Sequence, residues 1–111
     1  MRIEKFIINF NASILDAIKK IQQNENRAVF VLNDKKRVVG IISEGDILRS
    51  LILSKDIRTT CKSIMKKSFY FQNKKDIEKA KKIFKKKKIS IIPILDKKLN
   101  LKQVITLDDI I

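Results

Sequence analysis

Two short stretches of this chain carry a hydroxyl and a carboxylate at a spacing that can grip a ligand. Ser43 and Asp46 follow Gly40-Ile41-Ile42, and Thr106 and Asp109 follow Gln103-Val104-Ile105. In each, the acid stands three residues after the hydroxyl, where an apolar run gives way to a polar one. Such a pair can do one of two things. It can cap the first turn of a helix reciprocally, or the ionised acid can accept charge-assisted hydrogen bonds from the vicinal hydroxyls of a sugar. A helix N-terminus beside it also favours an anion such as phosphate. Arg49 lies one turn beyond Asp46 on the same helix face, within reach of phosphate oxygens; the alternative for it is a solvated helix arginine.

The chain holds little else of an enzyme's equipment. With no histidine and the single Cys61, it excludes Ser-His-Asp and Cys-His catalysis and the usual zinc ligand set. Two glycines leave no room for a Walker loop or a dinucleotide fingerprint. A lone cysteine allows no internal disulfide, and the charge-interrupted start lacks the apolar stretch of a signal peptide. The expectation is a reducing, cytoplasmic setting. No run approaches the roughly 18 apolar residues of a membrane span. Cys61, without a catalytic partner, reads as a small connector residue rather than a redox sensor.

The elements that must position these pairs come in two copies. Sliding the sequence by 63 residues without a gap superposes Phe6 on Phe69, Ile14 on Ile77, Ala17 on Ala80, Leu32 on Leu95, Ile42 on Ile105 and Asp46 on Asp109. The hydrophobic periods agree as well. Ser13 caps a helix with Ile14, Ala17, Ile18 and Ile21 on one face, and Asp76 caps its counterpart with Ile77, Ala80, Ile83 and Phe84. A β run follows, at 28–32 and 89–95. Then come a polar turn and a second strand, at 38–42 and 101–105. A further helix opens at Ser43, with Ile47, Leu48, Leu51 and Ile52 as its apolar face. Short strands are expected around residues 6–8 and 69–71.

Each unit therefore reads strand–helix–strand–strand–helix, an α/β (α+β) arrangement. A unit of about 50 residues buries too little core alone, so the two must pack together with pseudo-two-fold symmetry. The expected organisation is a first motif over 1–54, a connector over 55–67, and a second motif over 68–111. Met65 is expected to fill a gap at the join. Ile111 aligns with Leu48, so the last helix of the second motif is cut short and the natural chain is expected to continue.

Net charge is +14, but it is uneven. Residues 1–54 hold 9 basic and 6 acidic side chains, 55–88 hold 14 and 3, and 89–111 hold 3 of each, so the middle attracts anions. The run Lys85-Lys86-Lys87-Lys88 follows an amphipathic helix, where cations favour the C-terminus. It has no aromatic interleaving and almost no arginine, so it reads as a solvated helix end rather than a nucleic-acid surface.

At these residues the chain resembles a tandem pair of CBS motifs, a Bateman module. The resemblance rests on Gly40-Ile41-Ile42-Ser43-Glu44-Gly45-Asp46, its echo Gln103-Val104-Ile105-Thr106-Leu107-Asp108-Asp109, and Ile92-Pro93-Ile94-Leu95-Asp96. It implies a non-catalytic regulatory module with no required cofactor or metal, sensing an adenosyl nucleotide (AMP, ADP, ATP or S-adenosylmethionine) in the cleft between motifs. The implied ligand-binding residues are Ser43, Asp46, Arg49, Ser90, Thr106 and Asp109. Ser90 would face the pocket of Asp46, and by symmetry Arg27 would face that of Asp109. Gln103, in place of a small residue, would narrow the second cleft. The resemblance also implies a homodimer formed through helices and regulation of a C-terminal domain, with sugar-phosphate nucleotidyltransferases as the nearest analogy. The alternatives are a non-binding pair that only assembles subunits, and a nucleic-acid binder using the lysine-rich face.

Overall fold

The computed structural model of the chain describes residues 3–53 and 55–110. The expected boundary at residue 54 and the expected truncation at Ile111 lie outside them. The first copy begins with a 3₁₀ turn, Ile3–Phe6, and strand β1, Ile7–Asn9. Helix α1 (Ile14–Asn24), strands β2 (Ala28–Leu32) and β3 (Val38–Ser43) and helix α2 (Glu44–Ile52) follow. A one-turn helix, α3 (Cys61–Ile64), lies in the connector. The second copy supplies α4 (Ile77–Lys86), β4 (Ile91–Leu95), β5 (Leu101–Thr106) and a 3₁₀ turn, Leu107–Ile110, in the place of α2.

The three expected caps are present. Ser13 and Ser43 each close a full capping box, with Asp16 and Asp46 answering to the cap backbone, and Asp76 accepts from the Lys79 amide. Each box satisfies two amides that the first helical turn leaves without an internal partner.

The 63-residue repeat survives at the level of single hydrogen bonds. In the first hairpin the Lys36 amide donates to the Asn33 carbonyl and the Asn33 amide to Arg37; in the second, Leu99 donates to Asp96 and Asp96 to Asn100. Asn33 Oδ1 accepts from Lys35 and Arg37, and Asp96 Oδ1 from Lys98 and Asn100. Lys36 and Leu99 both take the left-handed backbone, with φ 62° and 65°. Both hairpins slip register at the same place, between Val31 and Leu32 and between Ile94 and Leu95.

Strand alternation divides the interior into three layers. Val29 and Val31 of β2 face α1, α2 and α3, joining Ile14, Ala17, Ile21, Ile42, Ile47 and Cys61. Ala28 and Phe30 face the other way and meet Ile91, Leu95 and Val104, together with Phe6, in a core shared by the two copies. Ile92 and Ile94 pack outward beneath Ala80 and Phe84 of α4. The near-continuous apolar runs of β2 and β4 follow, since both faces of each strand are covered.

The expectations depart from the fold at residues 69–71, along α2 and at Met65. Residues 69–71 form no strand; that edge keeps one parallel bridge, Gln72 to Ile94. The Gln72 amide donates to the Pro93 carbonyl and the Leu95 amide to the Gln72 carbonyl, and Pro93, with no amide, cannot carry the ladder on toward Tyr70. The expected apolar face of α2 is buried only at Ile47. Leu48, Leu51 and Ile52 are 60%, 39% and 79% exposed, while Asp46 and Ser50 face inward. Met65, expected to fill a gap at the join of the two copies, packs against the first-copy core instead, beside Gly40.

Candidate functional site

Where the hairpins of the two copies face each other, a cleft of about 790 Å³ opens. Asn26, Arg27 and Ala28 line it together with their repeat counterparts Ile89, Ser90 and Ile91. The corner residues Ser43, Glu44 and Gly45 line it too, with Arg49, Phe84, Lys88 and Asp108. The volume falls within the range of roughly 300–1,000 Å³ typical of small-molecule sites. Arg27, Arg49 and Lys88 oppose Glu25, Glu44 and Asp108, so a mixed-charge rim surrounds apolar strand ends.

Of the expected residues, Ser43, Arg49 and Ser90 come together in this cleft. The Ser90 hydroxyl donates to the Asn26 carbonyl, tying the two copies together. Asp46 stands directly behind Arg49, with its side chain 5% exposed. Its Oδ2 accepts from the Ser43 amide and hydroxyl, each at 2.9 Å. Its Oδ1 accepts from Arg49 Nη2 at 2.7 Å and lies 3.5 Å from Lys66 Nζ. Burial alone raises its pKa; the Ser43 bonds, the Arg49 bond and the Lys66 charge outweigh that and hold it below the usual carboxylate range. The corner thus performs the capping role in full, and Gly45 lets the guanidinium fold back over the helix start. A Cβ there would lie 3.3 Å from Arg49 Nη1.

Thr106 and Asp109 line a second cavity of about 430 Å³ with Lys5, Phe6, Asn24, Glu25, Asn26 and Asp108. Asp109 Oδ2 accepts from the Thr106 amide at 2.8 Å, repeating the cap of the first corner. Arg27 does not join it, contrary to expectation. It lines the first cleft, and its φ of 66° is a left-handed conformation that Ser90 does not share, so the symmetry of the two copies breaks there. Gln103 lines neither cavity; it sits within β5, opposite Ile94.

Sequence reasoning missed Lys66 and Lys88. Lys88 could have been found, since it precedes Ser90 by two residues. Lys66 carried no signal: it reaches Asp46 because its backbone forms a bridge with Ile41, and nothing local in the sequence fixes that register. Among the described residues no three His, Cys, Asp or Glu side chains gather to hold a metal ion. No described helix is long and apolar enough to cross a membrane.

The repeat, the layered sandwich and the paired strand–helix corners define a CBS domain pair. The sequence matches the CBS domain family over residues 1–53 and 61–111, and the chain belongs to that family. No curated protein matches it. Solved structures share its fold. A putative acetoin utilization protein of Vibrio cholerae superposes with a TM-score of 0.84 at 21% identity, covering 98% of this chain and 82% of that one. A CBS domain protein of Pyrobaculum aerophilum, complexed with AMP, gives 0.78 at 19% identity over 93% and 80%. The CBS domain pair of protein MJ0100, in complex with 5′-methylthioadenosine and S-adenosyl-L-methionine, gives 0.77 at 23% identity over 95% and 87%.

Proposed function

We propose that this chain is a non-catalytic regulatory module that binds an adenosyl nucleotide, such as AMP, ADP, ATP or S-adenosylmethionine, in the cleft between its two copies. The observation that carries this reading is the cleft itself: repeat-related strand ends from both copies line it together with Ser43, Arg49 and Ser90. The base would lie against the strand ends beside Ser90, and the phosphates would lie toward Arg49 and the start of α2. Thr106 and Asp109 would serve a second, smaller site. Two solved relatives of the same fold hold adenosyl ligands, which supports the choice of ligand class. Because the cleft is built from both copies, a ligand there can favour one arrangement of the pair and so bias a covalently attached domain, for which a nucleotidyltransferase is our choice.

Thermal melting with AMP, ATP and S-adenosylmethionine tests the reading. A ligand at 100 times its Kd adds about 2.7 kcal/mol to stability. No shift with any of the three overturns it. A second reading, a non-binding dimerisation scaffold, is favoured by the exposed apolar face of α2, Leu48, Leu51 and Ile52. It predicts a stable dimer and no nucleotide shift.

A further inference from the structure

The Asp46 carboxylate has about four acceptor positions, two on each oxygen. Three accept hydrogen bonds, from the Ser43 amide and hydroxyl on Oδ2 and from Arg49 on Oδ1, and the Lys66 ammonium stands 3.5 Å from Oδ1 as an ion pair. The Ser43 bonds belong to the helix cap and stay while α2 exists. The Oδ1 partners differ in kind. Arg49 and Lys66 are long side chains, 61% and 60% exposed, and an ion pair with one partner in water is weak and easily exchanged. Arg49 also lines the cleft whereas Asp46 does not, so the guanidinium stands between the carboxylate and any ligand.

We infer that Arg49 is a ligand-selecting latch: it covers the Asp46 carboxylate until an anionic group on the ligand draws it away. This rests on the nucleotide reading above. A phosphorylated nucleotide brings its own partner for the guanidinium. As Arg49 moves to the phosphate, Oδ1 becomes available to the ribose hydroxyls, so the two contacts form together. An adenosyl compound without phosphate must displace Arg49 with nothing to receive it. The sulfonium of S-adenosylmethionine adds a positive charge beside Arg27, Arg49 and Lys88. The first cleft therefore selects for phosphate through a contact inside the protein as well as through direct attraction.

The test is calorimetric titration of the chain and of its Arg49→Gln variant with AMP and with adenosine. Wild type is expected to bind AMP at least about tenfold more tightly than adenosine. In Arg49→Gln, AMP weakens and adenosine tightens, each by several-fold, so the preference collapses. The gain for adenosine must need the carboxylate, so Asp46→Asn/Arg49→Gln binds adenosine no better than Asp46→Asn. A melt of each variant confirms that it is folded at the titration temperature. If Arg49→Gln weakens both ligands equally, or changes neither, the latch is overturned while nucleotide binding stands. If neither protein binds either ligand, the nucleotide reading falls and takes the latch with it.

Discussion

Met65 lies so close to Gly40 that a Cβ at position 40 would stand 2.7 Å from its sulfur and 3.0 Å from the Lys66 carbonyl oxygen. The thioether can swing aside; the carbonyl is fixed by the bridge to Ile41. Gly40→Ala is therefore expected to cost about 1–3 kcal/mol by overpacking. Met65→Ala in the same chain should recover part of that loss, because it removes one of the two collisions. A double-mutant cycle by urea denaturation measures the coupling, and strict additivity would show that the two residues do not compete for space.

Cys61 is fully buried, its thiol 3.4 Å from the Ser13 carbonyl, and burial with the Asp16 charge pushes its pKa up to about 11. At pH 8 only about a thousandth of it would be thiolate even if reagent could enter. The native chain is expected to resist a thiol-labelling reagent for as long as it stays folded. Prompt labelling without denaturant would contradict this placement. Cys61→Ala should cost about 1–2 kcal/mol through the cavity it leaves.

Acid should loosen the first strand–helix corner. The folded-state pKa of Asp46 is depressed, so the stability it contributes is present above the unfolded carboxylate value, near 4, and is lost as pH falls through the folded value. Melting temperature is expected to hold from neutrality down to about pH 5 and then decline. Asp46→Asn should lower stability at pH 7 and flatten that acid decline; an unchanged slope would assign the loss to other carboxylates.

The outer face of α2 gives a prediction about assembly. Leu48→Glu and Ile52→Glu alter side chains that are 60% and 79% exposed, so each should change monomer stability by no more than about 0.5 kcal/mol. If this face joins two copies, sedimentation equilibrium will show a wild-type dimer that both substitutions convert to monomer. A wild-type monomer at all concentrations would remove the scaffold reading.

Much of this molecule is legible in its sequence, because local signals and global packing agree. The caps at Ser13, Ser43 and Asp76 are local chemistry, and the turns at Asn33 and Asp96 repeat one side-chain-to-backbone pattern. The doubled strand–helix corner carried the family resemblance. What escaped depends on distant partners. Residues 69–71 look as apolar as a strand, but pairing there stops at one bridge beside Pro93. The leucines of α2 look like a buried stripe, yet among the described residues no element covers them. Arg27 departs from its symmetric place because its backbone turns left-handed. Lys66 meets Asp46 through the register of the connector, which no window around either residue contains.

That register has a mechanical consequence. From Ile57 to Lys66 the connector is stitched to the first copy: Ile57 and Thr59 accept from Leu15 and Ile14, Cys61 and Lys62 donate to Ala12 and Phe10, and Lys66 exchanges both bonds with Ile41. The tether is therefore part of one half, not slack between two. Between Lys66, the last residue bonded to the first copy, and Gln72, bonded to β4, only residues 67–71 lie free of such ties, so movement of one half against the other is taken up there, next to the partner of Asp46.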